Sequence, residues 1–291
     1  MLFKRTSVPK NAQRSWRAKA DAIIEAQKKI EIHAANIGEK DLALGLEYLE
    51  STLDEGFPWV GANLRRLDGE QSKIPPYRIV KIAGLNIGVL GLLDNKDRAG
   101  RSVGPPGADF SVLDPFSTAR KAVGELKREG VDLVVALSAM VFLRNQELAR
   151  EVEGINFIVN GGDPRILKTP DREGETIIFG SLNYGKYVGV AHVGFVPGNF
   201  HFRLEREEED IRKRLEVIAA QRRVFEGEVA SLPNVMRKLE DLKVEETGLH
   251  SRLLNINAPS NNVKNRLVPL KSSIPNREDI TVILQKARRS K

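Results

Sequence analysis

Small and polar residues follow two buried strands predicted near the middle of the chain, and chemistry is expected at these positions. The apolar runs 131–137 and 155–159 are typical of strands buried on both faces of a sheet. Ser138-Ala139 follows the first run, and Asn160-Gly161-Gly162-Asp163 follows the second. Ligands bind beyond the carboxyl ends of strands in open α/β sheets, so Asn160, Asp163 and Arg165 are candidate ligand-binding residues.

Two sets of charged residues have both a chemical and a structural interpretation. Asp163 and Arg165 could hold a small anion, although a local ion pair or a loop cap is favoured. Asp94, Asp97 and Asp109 lie in a loop rich in Gly and Pro, where they could bind a cation or act as an acid–base pair. Loop solvation and turn formation are the favoured interpretation of these three carboxylates.

Composition and charge exclude several classes of site. The absence of cysteine excludes disulfides, thiolate metal sites and covalent haem attachment, and the four histidines have no metal-ligand spacing. No apolar run reaches the roughly 18 residues that span a bilayer, and no signal peptide is visible, which leaves the compartment unassigned. The net charge of +7 is mixed with acidic residues almost everywhere, so no nucleic-acid partner is predicted. The basic cluster 286–291 is interpreted as a solvated end.

The elements that position the candidate residues form a predicted α/β domain over residues 1–201. Strands are predicted at 32–37, 57–62, 77–82, 85–93, 131–137, 155–159, 176–179 and 187–196. Helices are predicted at 14–30, 41–53, 114–128 and 146–152, with Asp41 and Asp114 as N-caps of the second and third. The alternation of buried strands and amphipathic helices is typical of a mixed α/β sandwich.

Residues 202–256 are predicted to form an antiparallel coiled-coil hairpin. Apolar residues recur every seven positions from Leu204, and a second heptad run follows a break at Pro233-Asn234. A two-helix hairpin leaves part of its apolar stripe uncovered, so residues 204–254 are the predicted surface for a homo-oligomer or a protein partner. Residues 257–291 are predicted to be an irregular, exposed strap followed by a short helix at 280–289.

Several strings, in this order, resemble the metallophosphoesterase domain of the 5'-nucleotidase family over about residues 20–195. They are Asn36-Ile37-Gly38-Glu39-Lys40-Asp41, Gly45, Pro58-Trp59-Val60-Gly61-Ala62-Asn63-Leu64, Ile87-Gly88-Val89-Leu90-Gly91, Gly154-Ile155-Asn156-Phe157-Ile158-Val159-Asn160-Gly161-Gly162 and Gly185-Lys186-Tyr187-Val188-Gly189. The resemblance implies an αββα sandwich with a hydrolase function in nucleotide catabolism. It also implies two divalent metal ions that activate water for attack on a phosphate ester.

This sequence departs from the family's metal-ligand motifs wherever the two can be compared. The first two motifs have no counterpart here, and the third, Gly-Asn-His-Glu in the family, reads Gly38-Glu39-Lys40-Asp41. The fourth motif places a His after a buried strand, where this chain has Ser138-Ala139-Met140. The fifth motif, Gly-His-x-His in the family, reads Gly161-Gly162-Asp163-Pro164 in this chain. The vestigial-site positions are therefore Glu39, Lys40, Asp41, Ala139, Gly162, Asp163 and Pro164. No catalytic residue or metal ligand is assigned, and Lys40 would repel a cation.

The resemblance predicts a degenerate, N-terminally truncated member, a pseudoenzyme without a cofactor that acts as a binding or assembly module. The alternative is an active metal-dependent phosphohydrolase, acting on nucleotides or related phosphate esters, with unconventional ligands or ligands from a missing segment. The coil and the string Asn265-Arg266-Leu267-Val268-Pro269-Leu270 more weakly resemble bacterial exported members in which a multihaem cytochrome region follows. That region is absent from this sequence. Family relatives are periplasmic or exported.

Overall fold

The computed structural model describes residues 2, 6–96, 100–104, 108–162, 167, 169–180, 185–228, 233–254, 256 and 260–289. The helices in this part of the chain are α1 (Gln13–Lys29), α2 (Leu46–Asp54), α3 (Pro115–Arg128), α4 (Phe142–Glu151), α5 (Glu207–Glu228), α6 (Pro233–Leu254) and α7 (Glu278–Arg289). The strands are β1 (Ala35–Asn36), β2 (Trp59–Val60), β3 (Leu64–Arg66), β4 (Tyr77–Ile82), β5 (Leu85–Leu92), β6 (Phe110–Val112), β7 (Leu133–Ser138), β8 (Phe157–Asn160), β9 (Asp171–Glu173), β10 (Thr176–Gly180), β11 (Tyr187–Gly194), β12 (Phe202–Leu204) and β13 (Asn261–Pro269). Short 3₁₀ helices at Lys10–Ala12 and Glu39–Leu44 precede α1 and α2.

Two compact units make up the chain, one of residues 1–190 and 266–291 and the other of residues 191–265. The predicted segments 1–201, 202–256 and 257–291 divide the chain at different points. Within the first unit, a six-stranded sheet has the order β4-β5-β7-β8-β10-β9. Strands β5, β7, β8 and β10 are parallel, and β4 and β9 are antiparallel edge strands. The predicted mixed α/β class is therefore confirmed.

Both faces of the six-stranded sheet are covered within the first unit. Helices α3 and α4 pack on one face, where Leu126 and Leu148 are fully buried among the strand side chains. Strands β1 and β2 pair in parallel and lie against β5 on the other face. Gly91 of β5 permits this close approach, because a Cβ added there would lie 2.3 Å from the Val60 carbonyl oxygen.

Helix α1 joins the first unit through a mainly apolar stripe. Ala20 and Ile24 are buried in the core that also includes α2, and the Tyr48 hydroxyl donates to Asp21 Oδ1 at 2.7 Å. Burial, followed by this hydrogen bond, raises the pKa of Tyr48. Helix α7 packs against α1, and Arg277 donates to the Lys29 carbonyl oxygen at 3.2 Å. The predicted helices at 14–30 and 280–289 are confirmed.

Helices α5 and α6 lie side by side in the second unit. Ile211 and Ile218 of α5 form a buried cluster with Leu242 and Leu249 of α6. Three ion pairs also join the two helices, namely Glu207–Arg252 at 2.8 Å, Arg214–Glu245 at 2.7 Å and Arg222–Glu246 at 2.6 Å. The first pair joins the start of α5 to the end of α6, so the helices run in opposite directions.

Several predicted boundaries in the C-terminal part are wrong because long-range pairing replaces the local pattern. Residues 261–269, predicted as an irregular strap, form strand β13 in a sheet of order β11-β13-β12. Leu204 was expected to begin the helix, but it ends β12 and pairs with Val263, and α5 starts at Glu207. Pro233 does not lie in the turn but is the first residue of α6, a position where its missing N–H costs little.

Several boundaries in the α/β part also differ from the prediction. Asp41 does not cap a helix over 41–53, because it lies inside the 3₁₀ helix and α2 begins later at Leu46. The predicted strands at 32–37 and 57–62 shorten to two residues each, and α4 begins at Phe142 rather than at residue 146. The short strands β3 and β6 pair with each other in segments where no strand was predicted.

Candidate functional site

The candidate site lies at the carboxyl ends of the parallel strands. Leu92, Ser138, Asn160 and Gly180 end β5, β7, β8 and β10, and the strand register places them side by side in this order. The carboxyl ends of the two central strands, where chemistry was expected, therefore lie next to each other. Asp163, Pro164 and Arg165 lie outside the described residues, so their predicted roles remain predictions.

Backbone hydrogen bonds tie the ends of the central strands together. The Ala139 N–H donates to the Leu92 carbonyl at 2.8 Å, and the Gly161 N–H donates to the Ser138 carbonyl at 2.8 Å. The buried Ser138 hydroxyl accepts the Met140 N–H at 3.1 Å. Ser138 therefore stabilises the turn after β7, and its oxygen atoms are already used by neighbouring backbone groups.

Position 162 is closed to side chains by this turn. A Cβ at Gly162 would lie 2.3 Å from the Ala139 carbonyl oxygen and 2.4 Å from that of Met140. Contacts this short require a shift of the backbone on one side or the other. The adjacent Gly161 differs, because its nearest neighbour would be 3.5 Å away. The turn thus brings the backbone atoms of Ala139 and Gly162 close together, and neither residue has a functional group in its side chain.

Asp41 holds backbone groups of the turn in which it lies. Its carboxylate is only 3% exposed, and Oδ2 accepts the Gly38 N–H at 2.9 Å. Oδ1 accepts the N–H of Leu2, a residue buried in the same core. Glu39 and Lys40 are half-buried on this 3₁₀ turn. Asp41 therefore stabilises the fold. Its hydrogen bond with Leu2 joins two distant parts of the chain, and the sequence pattern does not indicate this contact.

Three asparagine side chains near the carboxyl ends of the parallel strands each have one polar atom without a hydrogen-bond partner among the described residues. Asn160 is 2% exposed, and its Oδ1 accepts the Gly162 N–H at 3.3 Å while its Nδ2 has no partner. Asn145 and Asn36 donate to the Met140 and Leu92 carbonyls, but their Oδ1 atoms have no partner. Buried polar atoms of this kind are available to a water molecule or a polar ligand. Asn145 was not predicted from the sequence, since nothing marks a single Asn in a helix as buried.

The loop aspartates have structural roles where they are described. Asp109 accepts the N–H groups of Leu46 at 3.1 Å and Glu47 at 3.3 Å, which caps the start of α2 from a distant loop. Asp94 lies 3.8 Å from Arg144 Nε, and Asp97 is outside the described residues. Asp114 caps α3 as predicted, and the Ser117 N–H that it accepts at 2.8 Å lowers its pKa.

The described residues contain no cluster of three or more His, Cys, Asp or Glu side chains able to hold a metal ion. None of the helices described is long and apolar enough to cross a membrane.

The chain is similar to several 5'-nucleotidases, although no family model matches it. It is 28% identical to the "Probable 5'-nucleotidase" of Treponema pallidum over 62% of this chain and 33% of that protein. It is also 28% identical to the 5'-nucleotidase of Vibrio cholerae, over 71% of this chain and 43% of that protein. The structure of a 5'-nucleotidase precursor from Thermus thermophilus matches with a TM-score of 0.54 and 25% identity, over 62% of this chain and 39% of that one. The chain therefore spans less than half the length of these relatives.

Proposed function

Since this chain is a member of the 5'-nucleotidase-type metallophosphoesterases, we propose that it acts as a non-catalytic binding or assembly module. The observation that carries this proposal is the chemistry of the residues at the compared motif positions. Glu39, Lys40 and Asp41 lie on one turn, and Ala139 and Gly162 meet at the ends of β7 and β8. None of these residues is a histidine, the residue type that the family resemblance implies in all three of these motifs.

The residues present do not fit a two-metal centre. Divalent ions at such a centre need several carboxylate, imidazole and amide groups with free lone pairs that point at one place. The Asp41 carboxylate is instead occupied by the Gly38 and Leu2 N–H groups. Lys40 adds a positive charge on the same turn, which raises the free energy of any cation held beside it. These residues therefore do not support metal-dependent hydrolysis by this chain.

The turn at Gly162 supports the non-catalytic role independently, because it limits the space for a side chain at this position whatever the residue type. Even a methyl group at this position would contact the Ala139 carbonyl oxygen at 2.3 Å. A histidine could return there only if the turn after β7 moved. A single substitution at position 162 would therefore not rebuild a metal ligand.

We assign the assembly role to the coiled-coil hairpin formed by α5 and α6, and we assign an incomplete αββα sandwich to the first unit. The inner face of the hairpin is apolar, with Ile218 fully buried. Its outer face keeps apolar side chains in solvent, among them Val224, Met236 and Val244, which are 72%, 58% and 65% exposed. Exposed apolar side chains of this size are suited to contact with a second copy of the chain or another protein.

The non-catalytic role is tested by metal content and phosphatase activity measured on the same sample. After dialysis against Mn²⁺ and then metal-free buffer, we expect no stoichiometric metal and no hydrolysis of AMP or bis(p-nitrophenyl) phosphate. Glu39→Gln is the matched variant, because it removes the carboxylate that replaces the family's asparagine while keeping its size. Chelator-sensitive hydrolysis with bound metal, both lost in Glu39→Gln, would show that the chain is an enzyme. Hydrolysis that persists in this variant with metal still bound would also overturn the proposal, because a glutamine amide oxygen can bind a metal. Hydrolysis by a sample that holds no metal would come from a contaminant.

A further inference from the structure

Strand β11 is the longest edge strand in the described part of the chain. It has eight residues, whereas β4, the next longest at a sheet edge, has six. Natural edge strands are commonly protected by Lys side chains, by Pro or by short length, because their free N–H and C=O groups pair readily with other strands. β4 carries Arg78 and Lys81, but β11 contains no charged residue and no proline. The outer edge of β11 therefore lacks these forms of protection.

The contacts of β11 with β13 show that the two strands are antiparallel. The Leu270 N–H donates to the Lys186 carbonyl at 2.8 Å, so the start of β11 meets the end of β13. A Cβ added at Gly194 would lie 3.8 Å from the Asn262 carbonyl oxygen, so the same register continues to the other end. Alternate residues of an antiparallel strand direct their N–H and C=O groups to opposite sides. The even-numbered residues of β11 therefore bond to β13.

The other neighbour of β13 supports this assignment. The Asn261 N–H donates to the His201 carbonyl at 2.8 Å, and the Glu205 N–H donates to the Val263 carbonyl at 3.0 Å. Odd-numbered residues of β13 thus bond to β12, which leaves its even-numbered residues for β11. The odd-numbered residues of β11 direct their N–H and C=O groups to the open edge. They are Tyr187, Gly189, Ala191 and Val193.

Solvent reaches this edge over most of its length. Gly189 and Ala191 are exposed, and Val188 and Val193 are 47% and 36% exposed. Residues 187–202, which begin with β11, form the longest run without a charged residue in the whole sequence. An uncharged, solvent-exposed segment of this kind is typical of a surface that contacts another chain.

A second copy of this chain fits the open edge, because β11 is complementary to itself about a twofold axis at Val190. In the antiparallel pair, Tyr187 of one copy lies opposite Val193 of the other, and this aromatic–aliphatic pair stabilises a sheet. Gly189 likewise lies opposite Ala191. Every odd-numbered residue of β11 then faces an odd-numbered residue of the second copy, and each such pair exchanges two N–H···O bonds. No charge on β11 opposes the approach.

We propose that β11 pairs with β11 of a second copy and joins the two three-stranded sheets into one continuous sheet. The dimer is closed, because the pairing occupies the outer edge of β11 in both copies. This surface differs from the α5–α6 hairpin. The inference holds whether or not the hairpin also binds a partner, and whether or not the chain is catalytic.

The test is analytical ultracentrifugation of the full chain with an exchange of charge at Val190. Like charges directly opposite each other destabilise an antiparallel pair, and opposite charges stabilise it. We expect V190K and V190E each to raise the Kd of the dimer about fivefold, and an equimolar mixture to have a Kd about fivefold below that of either variant alone. V224K and V224E place the same charges on α5 at a side chain that is 72% exposed. These controls should dimerise like wild type, both alone and mixed.

A191P tests the backbone hydrogen bonds of the open edge. Proline has no N–H, and the N–H of Ala191 faces the open edge rather than β13, so the fold should be kept. We expect A191P to be monomeric at concentrations where wild type is dimeric. Circular dichroism establishes that each variant is folded. If A191P does not fold, the mixture of V190K and V190E decides the test.

Four results would overturn the proposal. The first is a wild type that stays monomeric at the highest soluble concentration. The second is a mixture of V190K and V190E that dimerises no more tightly than the single variants. The third is a dimer of folded A191P as tight as that of wild type. The fourth is loss of the dimer in V224K and V224E with V190K and V190E unaffected, which would assign the contact to the hairpin.

Discussion

Replacing Ile218 by Asp tests the packing of α5 against α6 at its most buried point. Ile218 is 0% exposed and lies in the cluster of Ile211, Leu242 and Leu249. The substitution removes the apolar contacts of the side chain and places a carboxylate inside an apolar cluster, where the neighbouring Arg214 and Arg222 already pair with Glu245 and Glu246. The hairpin responds either by burying this charge or by opening locally to hydrate it. We expect the free energy of unfolding of this unit to fall by about 2–4 kcal/mol.

The assay is urea unfolding followed by circular dichroism at a helix-sensitive wavelength. Val224→Asp is the matched control, because it introduces the same charge on the same helix at a side chain that is 72% exposed. The control should change the free energy of unfolding by no more than about 0.5 kcal/mol. Light scattering on the same samples reports whether any oligomer of the wild type dissociates in Ile218→Asp.

The results for the two variants separate the packing argument from the docking argument. Equal stability of Ile218→Asp and wild type would mean that the α5–α6 cluster does not stabilise the hairpin. If the wild type is monomeric at high concentration, the hairpin does not mediate self-association. Another protein would then remain as its proposed partner. Loss of an oligomer in Val224→Asp alone, with full stability, would place the contact on the exposed face of α5.

Three further predictions follow from single contacts at the candidate site and at a helix cap. Asp41→Asn should cost about 1–3 kcal/mol in denaturant unfolding, because an amide nitrogen cannot accept a backbone N–H, whereas the exposed Asp54→Asn should have little effect. Gly162→Ala should cost about 1–3 kcal/mol because of the 2.3 Å approach to Ala139, while Gly161→Ala should be nearly neutral, and equal stabilities in thermal melts would contradict this geometry. Asp114→Ala should cost about 1 kcal/mol at neutral pH, and the difference from wild type should shrink as the pH falls below the ordinary carboxyl pKa of 3.8. The sign follows because the capped carboxylate has a lowered pKa in the folded state, so its stabilising effect is present above that range and is lost on protonation; a difference that grows at low pH would be inconsistent with it.

The sequence predicted the central sheet more accurately than its surroundings. The ends of strands β7, β8 and β10 were located within two residues because each strand is a mainly apolar run that is largely buried. Strands β1 and β2 were predicted as longer runs, but only two residues of each form parallel pairs. The length of a strand depends on its hydrogen-bonded neighbour, and composition does not specify that neighbour.

In the C-terminal third, composition likewise failed to predict a whole strand, because that strand depends on long-range pairing. The composition of residues 261–269, rich in Asn and basic residues, resembles that of a loop, yet they form a nine-residue strand. A backbone hydrogen bond from Asn261 to the His201 carbonyl, 60 positions earlier in the chain, begins this pairing. The heptad spacing of α5 and α6, in contrast, is a local property, and the sequence alone located both helices.

The sequence by itself determined which functional groups are available to this protein. The compared positions 39, 40, 139 and 162 hold Glu, Lys, Ala and Gly, and no conformation can supply histidines there. Only the tertiary structure decided how the remaining groups are used. It directs the Asp41 carboxylate to the N–H of Leu2, it closes the space at Gly162, and it packs α7 against α1. Residue type is local information, whereas hydrogen-bond partners, free space and helix packing depend on contacts between segments that are distant in the chain.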